Sequence, residues 1–180
     1  MCSSDLRRWT SAPDQELDPD WAPDGRAVLF EVFGGPSHGF AIVHLADSAR
    51  REFIATESGD FAHWSPDGKD FVYHSLDGLR LRNIATGSET VIVSKAADGA
   101  EPNYAAWSPD GTKIYYLARS ATGWSIRSVG ARGGASADLV EFDDPNRQHT
   151  KYGFCTDGKK FYLTIGSPES DIFVADVGRP

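Results

Sequence analysis

One serine lies in a pattern that could support nucleophilic catalysis. Residues 35–39, Gly-Pro-Ser-His-Gly, match the G-x-S-x-G elbow of serine hydrolases. In that elbow a strand turns sharply into a helix and exposes the serine above a sheet. Here the pattern joins two apolar stretches with strand character, 28–33 and 40–45, so no helix follows the serine. We therefore predict a glycine-rich loop between strands instead of a catalytic elbow.

Metal-binding and cofactor-binding patterns are also missing from the sequence. No two of the five histidines are two or four residues apart, and no cysteine or carboxylate stands at the spacing of a known metal motif. Asp18, Asp20 and Asp24 do not form an EF-hand calcium loop, because Leu29 occupies the position that requires a bidentate glutamate. The sequence therefore predicts neither a catalytic site nor a cofactor.

Composition narrows the class of partner. The 180 residues have a formal charge of −8, and no run of Lys or Arg exceeds two, which argues against nucleic acid or an anionic membrane surface. No apolar stretch approaches the roughly eighteen residues of a membrane-spanning helix, and 40% hydrophobic residues suffice for a packed core. Cys2 and Cys155 cannot build a disulfide framework or a four-cysteine metal site.

A repeated motif organises the chain. W-[AS]-P-D-G begins at Trp21, Trp64 and Trp107, and a weaker copy begins at Phe154, with spacings of 43, 43 and 47 residues. An apolar triplet starts three residues after each glycine. Later in each unit a six-residue stretch has apolar residues at its first, third and sixth positions; these stretches begin at Phe40, Leu79, Trp124 and Ile172. With the short apolar stretches that follow three of them, each unit is predicted to hold up to four strands.

The motif has a physical meaning as a tight turn. Proline presets φ, aspartate accepts hydrogen bonds from the backbone ahead of it, and glycine takes the left-handed conformation that closes a hairpin. The tryptophan would fill the wedge between sheets that diverge from a common axis. No stretch shows helical periodicity with caps at both ends. The pattern predicts an all-β fold, a β-propeller of about four four-stranded antiparallel blades.

The motif and the apolar strand after it resemble the WD-like repeat of TolB-type β-propellers, over about residues 18–177. The stretch 161–174 is similar to the last blade of such propellers. The resemblance therefore implies that this chain corresponds to the C-terminal portion of a TolB-type propeller. The fourth copy departs from the pattern, with Phe154 for tryptophan and Thr156 for proline. The resemblance suggests a periplasmic or cell-envelope setting, and the motif itself specifies no chemistry.

The blade boundaries follow from the repeat, with two possible closures. Either the four units close on themselves, or they belong to a larger ring; we expect the larger ring, since TolB-like propellers usually have more blades.

Residues 1–6 match the translated tail of a sequencing-library adapter and are expected to be a non-native leader. The predicted units are an outer strand at 7–17, blades at 18–57, 58–99 and 100–145, and an incomplete three-stranded blade at 146–180.

Function is expected at one face of the propeller. The loops that enter each innermost strand and those that join the second and third strands cluster around the channel, where partners dock. Segment 146–151 is the most polar of these loops, and His63 is placed to line the channel. The residues predicted to bind the partner are Asp60, His63, Glu101, Asn103, Arg147 and His149.

Two classes of function fit this sequence. The first is a non-catalytic module that recognises a protein or peptide through the loop face, without nucleic acid, membrane insertion or cofactor. The alternative is the propeller domain of a larger enzyme or regulator, such as a prolyl-oligopeptidase-like peptidase or a kinase sensor. The complete gene would separate them.

Overall fold

A computed structural model describes residues 10–11, 13–34, 38–142, 148–166 and 170–176. These residues form fifteen strands and one four-residue helix, and the strands make four separate antiparallel sheets. The predicted all-β propeller architecture is confirmed. In the described residues no helix has the length and apolar character needed to cross a membrane.

Each sheet is a meander in chain order. The first contains β1 (Gln15–Trp21), β2 (Ala27–Phe33), β3 (Gly39–His44) and β4 (Asp47–Ala55). The second contains β5 (Asp60–Trp64), β6 (Asp70–Ser75), β7 (Gly78–Asn83) and β8 (Glu89–Ser94), and α1 (Lys95–Asp98) follows it. The third contains β9 (Glu101–Trp107), β10 (Lys113–Ser120), β11 (Gly123–Gly130) and β12 (Ala137–Glu141). The fourth contains β13 (Gln148–Thr156), β14 (Lys160–Gly166) and β15 (Ser170–Asp176).

The repeated motif forms the predicted turn between the first two strands of a sheet. In the second sheet the Gly68 amide donates to the Ser65 carbonyl at 2.9 Å, and Gly68 has a φ of 70°. The Asp67 carboxylate accepts from the Lys69 amide at 3.1 Å, as expected for an aspartate in this turn. In the fourth sheet, where Thr156 replaces proline, its hydroxyl donates to the Lys160 carbonyl at 2.7 Å.

The core lies between neighbouring sheets. Leu29, Phe40 and Ile42 of the first sheet pack against Phe71 and Tyr73 of the second, and Phe40 makes edge contacts with both rings. Similar apolar layers join the second sheet to the third and the third to the fourth. The innermost strands β1, β5, β9 and β13 contact one another in that order. The sheets therefore follow one another around a common centre.

The motif tryptophans have two different environments. Trp64 and Trp107 pack between sheets, and Trp107 Nε1 donates to the His63 carbonyl at 3.1 Å. Trp21 is 60% exposed, which corrects the expectation that each motif tryptophan fills a wedge. The reason is positional, because Trp21 lies on the side of the first sheet that faces away from the second.

The predicted blade boundaries stay predictions. Strand β1 starts at Gln15, which is three residues before residue 18, the predicted start of the first blade. The proposed leader at 1–6, and residues 7–9 and 12 of the outer strand predicted at 7–17, lie outside the described residues. The fourth sheet has three strands in the described residues.

Candidate functional site

The loop face is the end of the molecule at which the innermost strands begin. In the second sheet β5 starts at Asp60, and the Leu76-Asp77 turn joins β6 to β7 at the same end. In the third sheet β9 starts at Glu101, and the turn at 121–122 joins β10 to β11 beside it. The Pro-Asp-Gly turns of the first three sheets, and the corresponding Thr-Asp-Gly turn of the fourth, lie at the opposite end.

Asp60 and Glu101, both predicted to bind the partner, lie on this face, and each contacts a basic side chain. The Asp60 carboxylate is 2.8 Å from His74 Nδ1, its cross-strand neighbour. Lys95 Nζ donates to Glu101 at 2.6 Å, and this bond, with a smaller contribution from the nearby His74, lowers the pKa of Glu101. His74 thus lies near both carboxylates, which come from neighbouring sheets.

The other four predicted residues have different positions. His63 lies further along β5, with its Nδ1 3.6 Å from an Asp20 carboxylate oxygen of the first sheet. Asn103 donates to the Glu101 carbonyl at 3.1 Å, so its amide orders the start of β9. Arg147 lies outside the described residues. His149 is described only by its backbone, which pairs with Ile165 in the fourth sheet.

The four sheets share a cavity of about 480 Å³ between their inner strands, which we call the hub cavity. His63 is the predicted site residue that lines it. Most of its wall is apolar or aromatic. The lining residues are Asp18, Pro19, Phe61, His63, Tyr104, Phe154, Cys155, Tyr162, Leu163 and Thr164.

Three of these lining residues occupy one repeated position with unusual backbone geometry. Asp18, Phe61 and Tyr104 each stand three residues before a motif tryptophan, and their φ angles are 48°, 53° and 24°. Strand pairing shifts register around each of them, so each marks a β-bulge in an innermost strand. Positive φ in a non-glycine residue costs about 1–3 kcal/mol and is concentrated at functional sites. The bulges bring the side chains of consecutive sheets to one centre.

The aromatic lining was missed by sequence reasoning. The Phe61 and Tyr104 rings have centroids 4.5 Å apart, although they are 43 residues apart in the chain. The available signal was the position three residues before each motif tryptophan. In a regular strand, successive side chains point to opposite faces of the sheet. The bulge inserts one residue, so this alternation does not predict which side chain faces the channel.

Glu31 is a second functional candidate that the sequence did not reveal. Its residue is 8% exposed, in β2, and burial followed by the carboxylates of Asp60 and Asp18 raises the pKa of Glu31 to about 7. The three carboxyl groups come from two sheets: Asp60 lies on the loop face, and Asp18 lines the hub cavity. This part of the molecule therefore has a strongly negative potential.

The described residues contain no group of three His, Cys, Asp or Glu side chains arranged to hold a metal ion. The segment that resembles a hydrolase elbow joins β2 directly to β3, as predicted, and residues 35–37 lie outside the described part. Within that part, the site presents a recessed surface that is mostly apolar or aromatic and includes the Asp18 carboxylate.

Comparison with known proteins identifies the fold. No family model matches the chain. Its structure superimposes on a putative TolB from Agrobacterium tumefaciens with a TM-score of 0.77 and 20% identity, covering 95% of this chain and 61% of that one. The fold is that of a TolB-type β-propeller. A short segment of this TolB-type chain is also similar to the Tol-Pal system protein TolB of Nitratidesulfovibrio vulgaris, at 45% identity over 38 residues, which are 21% of this chain and 9% of that protein.

The TolB-type fold also occurs in enzymes. A puromycin hydrolase S511A mutant complexed with PGG superimposes with a TM-score of 0.63 and 14% identity, covering 88% of this chain and 26% of that one. In each of these comparisons the chain covers less than two thirds of the matched protein. The shared fold thus includes both TolB proteins and a propeller-containing hydrolase.

Proposed function

We propose that the chain is a non-catalytic binding module of TolB type, which recognises a protein or peptide through the loop face and the hub cavity. The observation that carries the proposal is the convergence of four inner strands on one recessed cavity, which is mostly apolar or aromatic and has the Asp18 carboxylate in its lining. Recessed apolar surface with a few charged groups is typical of binding sites. The periplasmic or cell-envelope setting belongs to the same proposal and rests on the likeness to TolB proteins.

Selection from a displayed random-peptide library tests this function. The immobilised chain should enrich specific peptides, and Asp60→Lys should weaken their binding, because the new charge would lie on the loop face. Glu141→Lys, on exposed strand β12 at the perimeter, makes the same change of charge and should leave binding intact. Thermal melting of both variants controls for folding. Equal losses in the two variants, or no enrichment by the wild type, would contradict the proposal.

A second candidate is the propeller domain of a larger enzyme. It is favoured by the puromycin hydrolase comparison, in which the similar region makes up 26% of the longer chain. Detecting the native gene product by antibody in cells of the source organism, followed by mass spectrometry of the intact polypeptide, decides between the two. A polypeptide with an additional α/β hydrolase domain would favour the enzyme, and one composed of propeller blades alone would favour the binding module.

A further inference from the structure

The hub cavity has an aromatic wall and a carboxylate on the same surface. The Phe61 and Tyr104 rings lie 4.5 Å apart at an angle of 55°, so their faces and edges line one side of the cavity. Phe154 and Tyr162 of the fourth sheet contribute to the lining as well. Aromatic faces carry partial negative charge and attract cations, with arginine and lysine as the usual partners in proteins.

The charges around this wall have one predominant sign. Asp18 lines the cavity directly, an Asp20 carboxylate oxygen lies 3.6 Å from Nδ1 of the lining residue His63, and the carboxylates of Asp18 and Asp60 both act electrostatically on Glu31. Among the described lining residues there is no lysine or arginine. A ligand that brings its own positive charge would thus meet the Asp18 carboxylate beside the aromatic wall.

We propose that the hub cavity binds the side chain of a lysine or arginine carried by the partner peptide. The alkyl stem lies against the rings of Phe61 and Tyr104, and the cationic head faces Asp18. Long cationic side chains combine an apolar stem with a charged end, which matches this division of the cavity wall. The proposal rests on the proposed function and adds the chemistry of the residue that anchors the partner.

The test uses five capped peptides that differ in one residue. Acetyl-Gly-Gly-X-Gly-Gly-amide has no terminal charge, and X is arginine, lysine, norleucine, glutamate or tryptophan. Binding is followed by the shifts of backbone amide resonances in the full chain up to millimolar peptide. The arginine and lysine peptides should bind at least roughly tenfold more tightly than the norleucine and glutamate peptides, as expected for a charge-assisted contact.

Asp18→Asn is the decisive variant. Asparagine accepts a left-handed backbone about as well as aspartate does, so the φ of 48° at this position is retained while the charge is lost. The variant should lose the preference for arginine and lysine over norleucine. Glu141→Gln, which makes the same change in net charge on strand β12, should keep it.

Several outcomes would overturn the proposal. These are equal binding of norleucine, preferential binding of tryptophan, retention of the cation preference in Asp18→Asn, and no shifts with the arginine and lysine peptides. Binding of the library-selected peptides shows whether only the cationic anchor is wrong or whether the proposed function is wrong as well. If those peptides bind at the loop face but are unaffected by Asp18→Asn, the cationic anchor is wrong and the binding module stands.

Discussion

Replacing Glu31 with glutamine should make the stability of the protein respond differently to pH. In the folded chain, burial and then the carboxylates of Asp60 and Asp18 raise the pKa of Glu31 from 4.5 to about 7. In the unfolded chain, this side chain returns to its ordinary pKa. Between these two values the unfolded state releases a proton that the folded state retains, so the wild type loses stability as pH rises from 4.5 to about 7.

The magnitude follows from the size of that interval. Each unit of pKa difference is worth about 1.4 kcal/mol, which sets an upper limit of about 3 kcal/mol for the contribution of Glu31 at and above neutral pH. Glutamine keeps the size and the hydrogen-bonding capacity of the side chain but cannot ionise. The free energy of unfolding of Glu31→Gln, relative to wild type, should therefore increase through this pH interval and then stay constant.

Urea unfolding followed by tryptophan fluorescence at a series of pH values measures this difference. Glu141→Gln, an exposed carboxylate on strand β12, is the matched control and should give a difference that varies little with pH. If the Glu31→Gln and wild-type stabilities remain parallel from pH 4.5 to 8, burial and carboxylate repulsion do not govern Glu31, and the negative potential assigned to the hub is wrong.

Three further predictions test the packing of the sheets by the same unfolding assay. Phe40→Ala should cost about 3–5 kcal/mol, because the buried ring joins the first two sheets; a loss below 1 kcal/mol would contradict this. Gly78→Ala should cost at least about 2 kcal/mol more than Gly134→Ala, since both have positive φ but only Gly78 faces a neighbouring backbone carbonyl; equal losses would refute the steric argument. Asp20→Ala should cost about 1–3 kcal/mol by removing the 2.8 Å acceptor of the Trp64 amide, and an unchanged stability would show that this link between sheets is dispensable.

The fold was predictable because its signals are local and repeated. A Pro-Asp-Gly turn fixes the hairpin around Gly68, and the same physics applies at the equivalent glycines of the other motifs. The exposure of Trp21 was not predictable from the motif, since an identical residue is buried or exposed according to whether another sheet covers it. Local sequence therefore predicted the structure within each sheet more reliably than the packing of one sheet against another.

The candidate site was predictable only in part. Asp60 and Glu101 lie on the loop face because strand direction places the start of each inner strand there. Phe61 and Tyr104 were missed because a β-bulge turns them toward the channel against the alternation of a regular strand. Glu31 was missed because its burial and its carboxylate neighbours depend on contacts between sheets, which no local pattern encodes.

Hydrogen exchange of the full chain with and without a library-selected peptide tests the central claim, that recognition occurs at the loop face and hub. We predict that the peptide slows exchange in the loop-face turns at 76–77 and 121–122 and at the beginnings of β5 and β9, with no change at the Pro-Asp-Gly turns. Protection confined to the Pro-Asp-Gly turns or to the outer strands β4, β8 and β12 would contradict the account.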